Sequence, residues 1–215
     1  MRKMKAKTAQ KQKALLLLSG GFDSPVAGLL MREKGLGLEA VHFSSEIVTG
    51  KESTEKAKRL AKFLGLEKLF VCDISEPLIE FSRKCRHEYY FVLMKRLMYR
   101  IAERIAEREQ CGFLATGENL GQVSSQTIEN LYCIDASTKM QVLRPLICFD
   151  KNEIIELAKK LGTHDTSIGV EHCDALGPTH PITKARLQDV LREEEKVPAQ
   201  EFVEKALASL KVTSF

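Results

Sequence analysis

The stretch Ala14-Leu15-Leu16-Leu17-Leu18-Ser19-Gly20-Gly21-Phe22-Asp23-Ser24 decides the fold of this 215-residue chain. It opens with a continuous apolar run, which is typical of a strand buried on both faces of a parallel sheet. Residues 26–31, Val-Ala-Gly-Leu-Leu-Met, follow as the start of an amphipathic helix. Two adjacent glycines therefore lie where a strand passes into a helix.

The loop between strand and helix has the composition of a phosphate-binding loop. Gly20 and Gly21 let backbone N–H groups approach an anion, which then lies against the positive N-terminal end of the helix. Ser19 and Ser24 add hydroxyl donors, and Asp23 adds a carboxylate. A plain tight turn is the alternative, for which a Gly-Gly pair alone would be sufficient. The combination of strand, glycines, hydroxyls and helix start favours phosphate binding.

Two commoner nucleotide-binding loops are absent from the sequence. Gly50-Lys51 is followed by Glu52 rather than Ser or Thr, and no Gly-x-Gly-x-x-Gly follows a strand. The run Ser-Gly-Gly-x-Asp-Ser instead resembles the motif of the PP-loop ATP pyrophosphatases. This resemblance implies that ATP is split between its α and β phosphates, that a substrate oxygen becomes an adenylate, and that Asp23 acts through Mg²⁺.

Alternating strand and helix patterns along the chain define the fold class. Apolar runs at residues 38–43, 68–73, 111–116 and 140–146 predict four more strands, separated by helical patterns. We predict an α/β, Rossmann-like fold of the adenine-nucleotide alpha hydrolase kind, a parallel five-stranded sheet with helices on both faces. Ligands of such sheets bind at the carboxyl ends of the strands. His42 and Phe43, which end the second strand, are therefore assigned to the nucleotide site.

Length and composition suit one domain, for which we predict three segments. These are a basic N-terminal arm at residues 1–12, the nucleotide-binding unit at 13–182, and a helical C-terminal extension of the same domain at 183–215. Contact with phosphates and a solvated terminus are both interpretations of the arm. The net charge of +4 is compatible with an anionic partner such as RNA and equally with an ordinary solvated surface.

Hydropathy and cysteine usage indicate the compartment. No window approaches about 18 consecutive apolar residues, and the N-terminus lacks a signal-peptide pattern. We therefore expect a cytoplasmic protein with no membrane contact. The cysteines, which form no Cys-x-x-Cys pair, are expected to be reduced; they are Cys72, Cys85, Cys111, Cys133, Cys148 and Cys173.

A second informative stretch, residues 116–127, follows the fourth predicted strand. It reads Thr-Gly-Glu-Asn-Leu-Gly-Gln-Val-Ser-Ser-Gln-Thr and is rich in hydroxyl and amide groups. An ordinary helix cap is the alternative. Its place at a carboxyl strand end favours a wall of the nucleotide site, and the residues assigned to that wall are Thr116, Gly117, Gln122 and Gln126.

Basic residues in two predicted helices can be interpreted either as functional or as ordinary surface residues. Arg96, Arg100 and Arg104 share one face of a long helix predicted at residues 89–110. We expect Arg104 to be solvated, while burial and exposure both stay open for the other two. Lys151 lies at the start of a helix, where a cation is unfavourable, so it is assigned to an anion, with simple exposure as the alternative.

Taken together, these stretches make the chain similar to the catalytic domain of the 4-thiouridine synthetases, tRNA sulfurtransferases related to thiamine biosynthesis. The likeness covers about residues 14–185, and residues 19–27 and 117–127 are its most specific parts. It implies an enzyme that adenylates the carbonyl oxygen of a tRNA uridine with release of pyrophosphate and then replaces that oxygen with sulfur. The ATP-binding residues it implies are Ser19, Gly20, Gly21, Phe22, Asp23, Ser24, His42, Phe43, Thr116, Gly117, Gln122, Gln126 and Arg144.

The resemblance also implies catalytic roles for Asp23, Lys151 and Cys173. Lys151, with Arg144, would stabilise charge that develops at the α-phosphorus. Cys173 would carry sulfur as a persulfide, and the neighbouring His172 would lower the pKa of its thiol; a structural cysteine is the alternative. A zinc site is a further option without a standard spacing, so no metal ligands are assigned; its candidates are His164, His172, Cys173 and His180.

Departures from the family pattern shape the expected partners. Few residues precede the first strand, so we expect tRNA to be bound through a separate RNA-binding chain, or a homodimer. A cysteine desulfurase or another donor would supply sulfur, and Asp174 stands where the family often has a second cysteine. Cys111 and Cys148 are the remaining candidates for that thiol. The alternatives are a PP-loop enzyme that adenylates a small molecule and a non-catalytic adenine-nucleotide-binding protein.

Overall fold

The leucine-rich run forms β1 (Lys13–Leu17), a central strand of the sheet. The structure, a computed structural model, describes residues 12–121, 126–163 and 176–215. β1 pairs in parallel with β2 (Gly37–Ser44) on one side and with β4 (Phe113–Ala115) on the other. Leu15 and Leu16 point to opposite faces and are both fully buried, which explains why the run is apolar throughout rather than alternating.

The parallel part of the sheet is completed by β3 (Lys68–Asp73) beside β2 and by β5 (Gln141–Leu143) beside β4. The strand order is β5-β4-β1-β2-β3-β6. Because β1 to β5 run in the same direction, their carboxyl ends lie along one edge of the sheet. The connections that follow β1, β4 and β5 therefore meet at that edge, as expected for an open α/β sheet.

The sheet has six strands, so the predicted count of five is wrong. β6 (Lys211–Ser214) pairs antiparallel with β3 and forms the far edge. Its side chains are mostly exposed, because β6 lies at the edge of the sheet and has a neighbouring strand on one side only. The C-terminal segment, predicted to be helical, thus ends in a strand. The mostly parallel α/β architecture itself is confirmed.

Nine helices occur in the described residues, and a 3₁₀ turn at His87–Tyr89 precedes the longest of them. Amphipathic spacing explains their formation; in α3, for example, Ala57, Leu60 and Ala61 recur on one buried face. None of the helices in the described ranges has the length and apolar character needed to cross a membrane. The helices are α1 (Asp23–Glu33), α2 (Glu46–Thr49), α3 (Glu52–Phe63), α4 (Ser75–Lys84), α5 (Tyr90–Arg108), α6 (Ile128–Asp135), α7 (Lys151–Leu161), α8 (Leu187–Glu194) and α9 (Ala199–Ala208).

Two apolar layers cover the two faces of the sheet. Leu15 of β1 belongs to the larger layer, which contains the buried residues of α4, α5, α6, α8 and α9. Leu16 belongs to the opposite layer with the buried residues of α3. The helices on both faces were predicted, and this alternation along one strand is the physical basis of that arrangement.

The arginines of α5 divide as burial dictates. Arg96 is fully buried, and its Nη2 lies 3.0 Å from Oε2 of Glu194 in α8. Arg100 is part-buried and donates to the same carboxylate oxygen at 2.6 Å. Arg104 is half-buried as a residue, but its side chain is 42% exposed and pairs with Glu204 at 3.1 Å, in line with its predicted solvated position. The shared carboxylate fixes α8 against α5.

We expect Arg96→Met to lower the free energy of unfolding by about 3 kcal/mol, because the Glu194 carboxylate loses its fully buried cation and keeps only the part-buried Arg100. Arg104→Met is the control, because it removes only a surface ion pair and should change the free energy of unfolding by less than about 0.5 kcal/mol. Urea unfolding followed by circular dichroism measures both. Equal effects of the two substitutions would show that the Glu194 contact does not stabilise the fold.

Candidate functional site

The loop between β1 and α1 is closed by its own serines. Oγ of Ser24 accepts a hydrogen bond from the backbone N–H of Ser19 at 2.9 Å and lies 3.0 Å from Oγ of Ser19. The backbone N–H of Gly21 donates to Oγ of Ser19 at 3.2 Å. The hydroxyls predicted to face phosphate therefore also hold the loop in shape, and the loop residues 19–24 lie together as predicted.

Gly20 lies in a tight space, and neither loop glycine has an unusual backbone conformation. Neither Gly20 nor Gly21 has a positive φ, so the sharp left-handed turn that a Gly-Gly pair allows is not used. A Cβ added to Gly20 would lie 3.2 Å from Cδ of Lys56 in α3, which is tighter than ordinary van der Waals contact. The lysine side chain thus runs along the loop.

Gly117, just beyond β4, lies directly on the start of α1. A Cβ on this residue would lie 2.5 Å from both the carbonyl carbon of Asp23 and the backbone nitrogen of Ser24. No side chain can occupy that space without moving the backbone. The structure therefore brings Gly117 to the loop, and the two motifs singled out in the sequence meet here.

We expect Gly117→Ala to lower the free energy of unfolding by about 2 kcal/mol or more, because overpacking against backbone atoms forces the first turn of α1 to move. Gly112→Ala, at the other end of β4, is the matched control, since its added methyl would meet only the carbonyl oxygen of Lys13 at 4.0 Å. Chemical unfolding of both variants measures the difference. A variant at Gly117 as stable as the control would contradict this close approach.

His42 and Phe43 point to opposite faces of β2, as successive strand residues do. Nδ1 of His42 lies 2.9 Å from the carbonyl oxygen of Leu18, which can only accept, so Nδ1 carries the proton. Nε2 then accepts from the hydroxyl of Ser53 in α3 at 3.4 Å. Burial lowers the pKa of His42 and keeps the ring neutral. His42 therefore ties α3 to the end of β1, whereas Phe43 packs in the layer around α5.

A buried carboxylate lies behind the second motif. Oε1 of Glu118 is 2.6 Å from Nζ of Lys95, and Oε2 accepts from the hydroxyl of Tyr99 at 2.7 Å and from Nε of Arg144 at 2.8 Å. Burial alone would raise the pKa of Glu118, but the charges of Lys95 and Arg144 lower it to about 2. Sequence reasoning missed Glu118, Lys95 and Tyr99 as a group, because α5 and the motif are connected only in space.

The network also holds Arg144, which was predicted to face the α-phosphorus. Its Nη1 donates to Asp135 of α6 at 3.1 Å, and its Nη2 to the hydroxyl of Tyr99 at 3.1 Å. Two carboxylates, those of Glu118 and Asp135, therefore balance its charge in the structure. Contact between Arg144 and a nucleotide stays a prediction.

We expect Glu118→Gln to lower the free energy of unfolding by about 3 kcal/mol at pH 7, because Lys95 loses its buried carboxylate partner and Arg144 keeps only Asp135. The carboxylate contributes its stabilisation above its unfolded pKa of about 4.3. That contribution is lost as the pH falls toward its folded pKa of about 2. The difference between variant and parent should therefore shrink at acid pH.

Urea unfolding at pH 7 and near pH 3 tests the effect of Glu118→Gln. Glu129→Gln is the control, since Glu129 is an exposed carboxylate on α6, and it should change the free energy of unfolding by less than about 0.5 kcal/mol at either pH. A Glu118 variant whose deficit is the same at both pH values would mean that folding does not lower the pKa of this carboxylate.

Gln126 closes the second motif on itself. Its Oε1 accepts from the backbone N–H of Asn119 at 2.7 Å, and Nδ2 of Asn119 donates to the carbonyl oxygens of Leu146, at 2.8 Å, and Phe149. The motif is thereby joined to the connection between β5 and α7. Gln122, assigned to the same wall, lies outside the described residues.

Lys151 is the first residue of α7 and is exposed. The preceding Asp150 caps the helix, since its Oδ1 accepts from the backbone N–H of Glu153 at 2.9 Å. The cap leaves the lysine at the same sheet edge as the other connections. Its predicted contact with an anion stays a prediction.

Cys173 lies outside the described residues, as do His172 and His164 of the alternative zinc site. At Leu176, where the described residues resume, the carbonyl oxygen accepts from Nε2 of His87 at 2.8 Å. Of the two second-thiol candidates, burial raises the pKa of Cys111 to about 11, whereas Cys148 is exposed. In the described part of the chain, no cluster of three His, Cys, Asp or Glu side chains could hold a metal ion.

Comparison with known proteins agrees with this geometry. The family described as thiamine biosynthesis protein (ThiI) matches residues 9–199. The chain belongs to the ThiI family. The match includes both motifs that meet at Gly117, the β5–α7 connection and the segment that contains Cys173, so the predicted family is confirmed.

Curated relatives in this family are named probable tRNA sulfurtransferases. One from Alkaliphilus oremlandii is 40% identical over 206 residues, which are 93% of this chain and 53% of the relative. One from Acetivibrio thermocellus is 41% identical with the same coverage. The chain therefore spans about half the length of the ThiI relatives it matches.

A solved structure has the same fold. A 4-thiouridine synthetase, crystallised in complex with RNA and with bound ATP, matches 94% of this chain and 55% of its own with a TM-score of 0.89 and 37% sequence identity. The similarity extends over almost the whole chain.

Proposed function

We propose that this ThiI-family chain binds ATP at the β1–α1 loop and adenylates a uridine of tRNA as the first step of its thiolation. The observation that carries the proposal is the similarity to the 4-thiouridine synthetase, which was crystallised with RNA and ATP. The loop geometry supports it, because the serine-braced turn, the N-terminus of α1 and the apposed Gly117 lie together at the carboxyl edge of the sheet.

The oxygen donors at the loop are compatible with Mg²⁺ beside ATP. Mg²⁺ prefers oxygen ligands and is usually held by one or two carboxylates together with substrate phosphates. Asp23, the first residue of α1, supplies a carboxylate at the place where the phosphates would lie. Bound there, Mg²⁺ would neutralise part of the triphosphate charge.

The residues of the chain would position the reactants for an in-line displacement. The loop binds the pyrophosphate part of ATP, the uridine carbonyl oxygen forms a bond to the α-phosphorus, and the bond between the α-phosphorus and the bridging oxygen breaks to release pyrophosphate. Lys151 at the start of α7 would stabilise charge on the α-phosphate. The described contacts of His42 and Gln126 hold α3 and the second motif in place, and their contact with the nucleotide stays a prediction.

The second step replaces the activated oxygen with sulfur. We propose that a persulfide on Cys173 attacks the adenylated carbon and displaces AMP, after which a second thiol opens the resulting disulfide. Of Cys111 and Cys148, the exposed Cys148 is the accessible one. The cysteine desulfurase, the separate RNA-binding chain, the homodimer and the cytoplasmic location stay predictions.

We expect pyrophosphate release from ATP and Mg²⁺ to be stimulated by unmodified tRNA and to fall by about 10²-fold or more in Asp23→Ala, since the substitution removes the carboxylate that would hold Mg²⁺ against the phosphates. Glu33→Ala, exposed at the other end of α1, is the control and should leave the rate unchanged. Cys173→Ser should release pyrophosphate normally but form no thiouridine, because the two steps use different residues.

Each result of this assay bears on a different part of the proposal. Release that depends on Asp23 but not on tRNA would contradict the tRNA assignment and indicate a small-molecule acceptor. Absence of release under all conditions would indicate a nucleotide-binding protein without turnover. Loss of release in Cys173→Ser would contradict the separation of adenylation from sulfur transfer.

A further inference from the structure

Lys56 is an unusual lysine, because its ammonium is buried and has no hydrogen-bond partner in the described part of the chain. The residue lies in the second turn of α3 and is 3% exposed. Its Nζ has no hydrogen-bond partner among the residues that the structure describes. Lys95, the other lysine deep in the site, has its ammonium 2.6 Å from the carboxylate of Glu118.

The surroundings of Lys56 place this charge beside the β1–α1 loop. Its Cδ lies 3.2 Å from the position that a Cβ on Gly20 would take. α3 is fixed there by Ser53, whose hydroxyl donates to His42, and by His42 in turn, which donates to the carbonyl oxygen of Leu18. The helix that carries the lysine is therefore tied to the strand end that carries the loop.

An unpaired buried ammonium is costly. Burial of a charge without a partner costs several kcal/mol, so buried charges in folded proteins are paired or bind a ligand. The start of α1 adds the partial positive charge of a helix N-terminus on the same loop. Two independent sources of positive potential thus act at Gly20, and a bound anion would satisfy both.

We propose that Lys56 binds the pyrophosphate part of ATP at the β1–α1 loop. The contact would persist after the bond to the α-phosphorus breaks and free pyrophosphate has formed. This inference rests on the proposed function, since it assigns a residue to the same nucleotide site. The β and γ phosphates carry most of the negative charge of ATP, and ammonium–phosphate contacts are strong charge-assisted hydrogen bonds. Lys56 would therefore distinguish ATP and pyrophosphate from AMP.

The test compares Lys56→Met with Lys58→Met in the full chain. Methionine keeps the length of the buried side chain and removes its charge. Lys58 lies two residues further along α3, where its ammonium is 2.7 Å from Glu55 at the surface. Calorimetric titration with inorganic pyrophosphate, ATP and AMP measures the dissociation constants of both variants and of the parent chain.

We expect Lys56→Met to weaken binding of pyrophosphate and ATP by about ten- to a hundredfold, the effect of losing one hydrogen bond to a charged group. AMP binding should stay unchanged, and Lys58→Met should bind all three ligands like the parent. Equal affinities of the Lys56 variant and the parent for pyrophosphate would overturn the proposal. An equal loss for AMP would also overturn it, because the contact would then not be specific to pyrophosphate.

Thermal unfolding without ligand separates this role from a structural one. If Lys56 is reserved for an anion, removing its unpaired charge should leave the melting temperature of the ligand-free protein unchanged or raise it. A variant that fails to fold or melts lower would overturn the proposal, because Lys56 would then have a partner within the chain. A parent chain that binds neither ATP nor pyrophosphate would instead contradict the proposed function itself.

Discussion

The close approach of Gly117 to the backbone of Asp23 and Ser24 is the constraint on which the site depends. β1 and β4 are neighbouring parallel strands, so the connections that follow them must share the space above one edge of the sheet. A Cβ on Gly117 would lie only 2.5 Å from backbone atoms of Asp23 and Ser24. Because Gly117 has no side chain, the second motif can pack directly against the β1–α1 loop.

Charge is distributed unevenly around this contact. Behind the wall, Glu118 stays ionised at neutral pH, with its pKa lowered to about 2, and pairs with Lys95 and Arg144. Beside the β1–α1 loop, Lys56 has no hydrogen-bond partner in the described part of the chain. Lys95 and Arg144, which are paired with carboxylates, thus hold the scaffold together, while Lys56 is placed for an anion. This contrast is the physical argument for a polyphosphate at the loop.

Local patterns were sufficient for the fold and for the loop itself. The apolar run of β1, the glycines after it and the alternation of strands with helices are all visible over short stretches of sequence. β6 was missed because a short, exposed strand forms only where a neighbouring edge, here β3, is open to pair with it. Such pairing over a long sequence separation leaves no periodic signal.

The charged residues of the site were the least predictable part. Lys56 looks like a surface residue because it stands among charged neighbours in α3, and its burial follows from the close approach of Gly20. Arg144 was recognised as a site residue, but its partner Asp135 was not, since α6 reaches it only in the folded chain. The resemblance to a family supplied the roles of Lys151 and Cys173, for which composition offered only weak hints.

The measurement that tests the account most directly follows an oxygen atom. Unmodified tRNA labelled with ¹⁸O at the uridine carbonyl would be incubated with the protein, ATP, Mg²⁺ and a cysteine desulfurase with cysteine, which supplies sulfur at the persulfide level. If the uridine oxygen attacks the α-phosphorus at this loop, each thiouridine formed leaves one AMP that carries the label in its phosphate. Thiouridine formed together with unlabelled AMP would contradict the account.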